Sequence, residues 1–251
     1  MKLSVVLATF NEGENIDACL GSVYGWCNEI VIVDGGSTDD TVEKSHKYEA
    51  KILVTDNPPI FHINKQKAIE LAKSDWVLQL DADERVTQKL KQEIDQAISS
   101  GLVDGYWIPR KNFFLGRFLM KGGVYPDYTL RLYRRGKARL PAKDVHEQAI
   151  VDGKTGYLIN PLIHKSDTNL NRYLIKFNRY TDLIASEIMT AKTPVIFMLP
   201  EYMLMKPLSW FFMTYLRHKG FMDSWQGIVF SLLSSLRFPV AYIKFLTKRS
   251  K

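Results

Sequence analysis

Cysteine is nearly absent. The 251 residues contain two, Cys19 and Cys27, both in apolar surroundings and neither in a Cys-x-x-Cys pair, which excludes a disulfide scaffold and a zinc ribbon and fits a reducing compartment. No other His/Cys cluster suggests structural zinc. Unbroken apolar runs of membrane-crossing length are missing as well. A crossing helix needs about 20 predominantly apolar residues, but the apolar stretches after Pro194 are interrupted by Glu201, Lys206 and Arg217-His218-Lys219, then by Arg237 and Lys244. No clean span is expected. The opening run Leu3 to Phe10 stops at Asn11-Glu12-Gly13 with no cleavage-site pattern behind it, so the expectation is a cytosolic chain without an export signal. At 46% hydrophobic and 24% charged residues, collagen-like, low-complexity and disordered classes are excluded, and the length suits one large domain or a core with an appendage.

The net charge of +7 hides an asymmetry. Residues 1–105 carry 10 Lys/Arg against 18 Asp/Glu, residues 106–154 carry 11 against 4, and residues 200–251 carry 8 against 2. An acidic first part has the wrong sign for a nucleic-acid binder but suits carboxylates gathered round a cation, and the basic middle suits a phosphate-bearing ligand. In the last part, aromatic and aliphatic residues alternate with Lys and Arg, as in a helix lying at the surface of an anionic membrane. A helical subdomain packed on the core, or a dimer interface, is the alternative.

Between these regions, apolar runs alternate with amphipathic segments. The opening run within Met1 to Phe10, Ile30 to Val33, Ile52 to Thr55 and Trp76 to Leu80 read as strands; Glu14 to Val23, Thr38 to Tyr48, Ile63 to Lys73 and Thr87 to Ser99 read as helices. Such alternation predicts βα units and a parallel sheet, whose ligands bind beyond the carboxyl ends of the strands. The polar residues there are Thr9, Asn11 and Glu12, then Asp34, then Asp81-Ala82-Asp83-Glu84. Asp81 and Asp83 project to one side of an extended segment and repel unless neutralised. A hard divalent cation completed by a diphosphate resolves this, a solvated acidic turn being the plainer reading.

Val5-Val6-Leu7-Ala8-Thr9-Phe10-Asn11-Glu12, Ile32-Val33-Asp34-Gly35-Gly36-Ser37-Thr38-Asp39-Asp40-Thr41 and Leu78-Gln79-Leu80-Asp81-Ala82-Asp83-Glu84, in this order and spacing, resemble family 2 glycosyltransferases of the GT-A fold. Leu130-Arg131-Leu132-Tyr133 and Val145-His146-Glu147 extend the likeness toward bacterial lipopolysaccharide-core β-glucosyltransferases. Lys219-Gly220-Phe221-Met222-Asp223 also resembles that subgroup, with Ser224 where a glycine is common. The resemblance implies an α/β chain with a Rossmann-like, mostly parallel nucleotide-sugar-binding core. It implies that Asp34 contacts uracil or ribose, that Thr9, Asn11 and Glu12 line the same pocket, and that Asp83, less directly Asp81, with Ala82 between them, engage Mn²⁺ or Mg²⁺ and the sugar-diphosphate. Lys65 is placed to approach ribose or phosphate, or is simply a solvated lysine.

Beyond Gly101, the pattern at Leu130 to Tyr133 predicts a half-buried strand. Arg131 is a candidate for the diphosphate, a surface arginine being the alternative. An inverting transfer needs a base to take the proton of the acceptor hydroxyl. Glu147 is the first candidate and Asp144 the second, both at the start of an expected strand, with Asp127 next in order. His164 is a candidate third metal ligand or a core histidine. Trp76 and Trp107 read as core aromatics, Trp107 alternatively as an acceptor platform.

The expectation is a catalytic GT-A domain over residues 1–165 and a helical, membrane-surface region over residues 166–251. It would move a hexose, glucose-like, from a UDP-sugar to a cell-envelope glycan or lipid-linked acceptor on the inner face of the cytoplasmic membrane. Polyprenyl phosphate is an alternative acceptor. A sugar-phosphate nucleotidyltransferase is a more distant reading, disfavoured because Ala8-Thr9-Phe10-Asn11 stands where a glycine-rich GxGTR-type signature belongs, and a non-catalytic nucleotide-binding membrane scaffold is another.

Overall fold

The computed structural model describes residues 1–141, 148–190 and 195–249. The chain forms two compact units: Met1–Arg110 with Asp127–His164, and Lys111–Pro126 with Lys165–Lys251. The second unit is thus assembled from two separated segments.

The first unit begins as a repeated βα pattern. Strands β1 (Leu3–Thr9), β2 (Glu29–Asp34), β3 (Lys51–Val54) and β4 (Trp76–Leu80) alternate with helices α1 (Ile16–Gly21), α2 (Thr41–His46) and α3 (His62–Leu71). These strands pair in parallel in the order β3-β2-β1-β4. Burial on both faces explains the unbroken apolar sequences of β1, β2 and β4, whereas the edge strand β3 is largely exposed. Leu3, Val5 and Leu7 of β1 pack with Ile16, Cys19 and Leu20 of α1, while Val6 turns the other way to Val31, Val33, Ala68 and Ile69. Strand β5 (Glu84–Arg85) and helix α4 (Gln88–Ser100) follow. Thr87 caps α4 by accepting a hydrogen bond from the Leu90 amide at 3.2 Å, and Gly101 ends it in the left-handed conformation, φ 64°.

Strand β6 (Gly105–Phe114) runs from the first unit into the second, which also holds β7 (Arg117–Phe118). Strand β8 (Asp127–Arg134) inserts antiparallel between β4 and β6. This corrects the half-buried expectation for Leu130 to Tyr133: every residue from Thr129 to Tyr133 is buried, with Leu132 packed in the cluster of Leu3, Val5 and Leu7 and with Leu130 and Tyr133 packed in that of Val6 and Ala68. Short β9 (Ala138–Arg139) and β10 (Ile150–Val151) pair with each other, and β11 (Thr155–Tyr157) joins β6. Strand β12 (Leu162–Asp167) pairs antiparallel with β5, setting His164 opposite Glu84.

The second unit is mostly helical: α5 (Leu170–Thr190), α6 (Val195–Pro200), a π-helical turn (Glu201–Met205), α7 (Lys206–Phe212), a second π-helical turn (Met213–Arg217), a 3-10 turn (Gly220–Asp223) and α8 (Ser224–Arg249). Ala185, Ile188, Met198, Ala241, Tyr242 and Phe245 form its apolar cluster. The buried Asp223 carboxylate accepts the Met120 and Lys121 amides at 3.0 and 2.7 Å, tying the 111–126 segment to the helices. Arg237 and Lys244 do not interrupt α8: Gly220–Arg249 is long and apolar enough, by length and composition, to cross a membrane.

Candidate nucleotide-sugar site

Three loops at the carboxyl ends of β1, β2 and β4 hold most of the residues singled out above. Asp34 closes β2 and is wholly buried. Its carboxylate accepts four hydrogen bonds: the Thr9 hydroxyl at 2.8 Å, the Ser37 hydroxyl at 2.7 Å, and the Gly36 and Ser37 amides at 3.0 and 2.7 Å. Gly36 turns the chain back at φ 78°, a conformation glycine adopts without steric cost. Asn11, also left-handed at φ 53°, bridges this loop to the one after β1: its amide donates to Ser37 Oγ at 2.9 Å and its side-chain oxygen accepts the Thr38 amide at 2.8 Å. Glu12 is fixed at both ends, its amide donating to Thr41 Oγ1 and its carboxylate accepting Asn15 Nδ2, each at 2.8 Å. The pairing of Gly13 with α2 is so close that a Cβ there would fall 1.9 Å from Asp40 Oδ1.

The loop after β4 is built differently. Asp81 pairs with both Lys65 Nζ and Arg131 Nη2, and Arg131 Nη2 also donates to Glu84 Oε1 at 2.9 Å. Glu84 is wholly buried; its second oxygen accepts the Asp81 amide at 2.9 Å, and Arg110 Nη1 stands 3.7 Å from the first. Arg110 in turn donates from Nε and Nη2 to Asp127 Oδ2 at 3.0 and 2.7 Å. Arg85 straps the turn to the start of α1 through the carbonyls of Ala82 and Asn15 at 2.6 and 2.9 Å.

Lys65 and Arg131 are thus neither solvated nor surface residues, being only 7% exposed. Burial pushes the Lys65 ammonium below the usual lysine range, Asp81 opposing it. Burial also works against the charges of Asp81 and Arg131, yet their attraction outweighs it: Asp81 is held well below the usual carboxylate range and Arg131 above the usual arginine range. Groups shifted in opposite directions by burial and by one another's charge meet in one cluster, a common mark of a functional site.

Asp83 brings its Oδ1 to 3.4 Å from His164 Nε2, an approach set by the β5–β12 pairing. Adjacent ligands of an octahedral ion held at about 2.1 Å stand about 3 Å apart. A carboxylate oxygen and an imidazole nitrogen at this separation therefore fit two neighbouring positions around Mn²⁺ or Mg²⁺. Asp81, expected with them, turns to Lys65 and Arg131 instead. Among the described residues no three His, Cys, Asp or Glu side chains group as a complete metal-holding set.

Glu147 and Asp144 lie outside the described residues. Trp76 is fully buried in the core, and Trp107 stacks on Tyr157 with centroids 6.2 Å apart. The parts that sequence reasoning left without a role are Glu84, Arg85 and Arg110. Glu84 sits inside the quoted acidic motif, three residues beyond Asp81, and that spacing was its one available signal.

Comparison with known proteins gives the family and the fold. The family model described as "Glycosyl transferase family 2" matches residues 4–162. The lipopolysaccharide core biosynthesis glycosyltransferase LpsC of Rhizobium meliloti (strain 1021) is 27% identical over 94% of this chain and 92% of its own. An uncharacterized glycosyltransferase of Rickettsia conorii, RC0292, is 27% identical over 92% and 85%. Among solved structures, S. aureus TarS aligns with a TM-score of 0.50 at 17% identity, covering 98% of this chain and 50% of that one, a likeness of fold.

Proposed function

Because this chain belongs to glycosyl transferase family 2 and is a glycosyltransferase, we propose that it transfers a glucose-like hexose, with inversion, from a UDP-sugar to a cell-envelope glycan or lipid-linked acceptor such as lipopolysaccharide core, at the cytoplasmic face of the membrane. The observation that carries the reading is the buried Lys65–Asp81–Arg131–Glu84 cluster beside the Asp83–His164 pair, all at one end of the sheet. The acceptor class is supported by the name of the LpsC relative, whose likeness runs through nearly the whole chain.

The loops around Asp34 and Asn11 form the shelf for the base and ribose, with Thr9 and Glu12 behind them. Lys65 and Arg131 border the place of the diphosphate and stabilise the negative charge that grows on it as the glycosidic bond breaks. Asp83 and His164 would hold Mn²⁺ or Mg²⁺, which when bound neutralises the leaving diphosphate. The acceptor hydroxyl oxygen forms a bond to the anomeric carbon from the face opposite the diphosphate. The bond from that carbon to the diphosphate oxygen breaks with its electron pair, and the hydroxyl proton passes to the carboxylate of Glu147 or Asp144.

A screen of nucleotide sugars with membrane extract as acceptor, scored by release of UDP or GDP, tests the reading. UDP release that depends on both an added hexose donor and the extract is the expected result. Release of pyrophosphate from a sugar phosphate and a nucleoside triphosphate would replace it with nucleotidyl transfer.

A further inference from the structure

Helix α8 buries Ala241, Tyr242 and Phe245 in its second half, but its first half is inverted relative to a helix of a water-soluble protein. Its serines Ser231, Ser234 and Ser235 and Gln226 are buried, whereas Trp225, Ile228, Leu232, Leu236, Ile243 and Leu246 are exposed, from 37% for Ile228 to 57% for Trp225. The exposed six recur at three-, four- and seven-residue spacing and so form one continuous stripe along the helix. A second stripe, Leu204, Leu208, Phe212 and Leu216, is likewise exposed on α7 and its flanking π-helical turns, and α7 packs against α8 within the same unit. Apolar area of this extent marks a surface made to meet an apolar medium.

The charges name that medium. Residues 200–251 carry 8 Lys/Arg against 2 Asp/Glu. One of those two acids, Asp223, is buried against the Met120 and Lys121 amides, and the other, Glu201, is paired with Lys206 at 2.8 Å. Arg217, Lys219 and Arg249 are exposed in the same unit, supplying cations for anionic headgroups. A complementary protein face would have to supply acids and apolar groups in one fixed pattern, whereas an anionic bilayer supplies both along its whole surface.

Helix α8 has the length to cross a membrane, but its partner forbids it. Lys244 donates to the Asn178 side chain at 2.6 Å and pairs with Asp182 at 3.1 Å, and Lys248 also reaches Asp182. A crossing α8 would carry α5, with Arg172, Lys176, Arg179, Asp182 and Glu187, to the same depth, where ionised groups are costly. We propose that the second unit seats on an anionic bilayer through the outward stripes of α8 and α7, with α8 lying in the interface and not across it. This deepens the membrane placement proposed above and rests on that placement, but not on the glycosyl transfer chemistry.

The test is co-sedimentation of the full chain with phosphatidylglycerol/phosphatidylcholine vesicles and with phosphatidylcholine alone, using brominated acyl chains to quench tryptophan. Binding to the anionic vesicles, quenching that disappears in Trp225→Phe, and release by alkaline carbonate are expected. Leu232→Glu with Leu236→Glu, both at exposed positions, should weaken binding at least about tenfold while leaving UDP affinity unchanged. Three results would overturn the proposal: retention after carbonate, which would mean a span; unchanged binding of the double variant; or absence of binding with a dimer that the same double variant dissociates, which would give the face to a second copy of the chain. Vesicle binding without sugar transfer would refute the reaction and leave the seat intact.

Discussion

Two strand-end carboxylates, Asp34 and Asp81, occupy corresponding places after β2 and β4 and are held in opposite ways. Asp34 is enclosed by neutral donors, two hydroxyls and two amides. Asp81 is enclosed by two cations, with a second buried carboxylate behind one of them. A neutral cage fixes the shape of a loop and leaves no positive charge to offer a ligand. A cationic cage gives the loop charge that an incoming anion can share. On this account the first loop recognises the uncharged nucleoside and the second handles the diphosphate.

The largest effect expected is on turnover. Asp83→Ala removes the carboxylate opposite His164 and should lower kcat by at least about two orders of magnitude, with excess chelator reproducing the loss in the unaltered enzyme; full activity in chelator would remove the cation from the mechanism. Glu147→Gln should depress kcat with donor affinity nearly unchanged, since the amide keeps the shape but accepts no proton. If it turns over normally while Asp144→Asn does not, the base is Asp144.

Stability distinguishes the cages next. Arg131→Met strips the cation from Asp81 and the buried Glu84 and should cost about 3–5 kcal/mol in denaturant unfolding. Asp34→Ala leaves the Gly36 and Ser37 amides without their acceptor and should cost about 1–3 kcal/mol. Equal losses would erase the contrast.

The smallest effect is on acid stability. Burial raises the Glu29 carboxyl, but hydrogen bonds from Lys51, Ser4 and the Lys73 amide outweigh it and hold the group at about 2. A folded-state value below the unfolded one stabilises the native chain at neutral pH and is lost as pH falls toward about 2. Asp81, also lowered, adds to the same loss. Glu29→Gln should therefore flatten the fall in stability between about pH 5 and 2, as thermal melts at several pH values would show.

β1, β2 and β4 are readable because burial on both faces leaves an unbroken apolar run, and with them the strand ends where Asp34, Asp81 and Asp83 stand; the edge strand β3 carries the same kind of run although it is largely exposed. The cages were not. Thr9 reaches Asp34 across 25 residues, and Arg131 reaches Asp81 across 50, pairings that exist only once the sheet order is set. Arg110 meets Asp127 because they are register partners of β6 and β8, which no local pattern announces. β8 reads as half-buried because its alternation is real, but Leu132 packs into one core cluster, Leu130 and Tyr133 into the other, and Arg131 against Asp81 and Glu84, so neither face is left to solvent. The stripe on α8 is plain in the sequence. Which side of it faces out was not, since leucines ordinarily go in and serines out.

Titration of UDP and of uridine into the unaltered chain, Lys65→Gln and Asp34→Asn, by calorimetry for UDP and by NMR for the weaker uridine, tests the division between the two loops most directly. Lys65→Gln is predicted to weaken UDP by about tenfold or more, the worth of a charge-assisted contact, and to leave uridine unchanged, whereas Asp34→Asn weakens both alike. Equal weakening of UDP and uridine by Lys65→Gln, or a loss confined to UDP in Asp34→Asn, would contradict it.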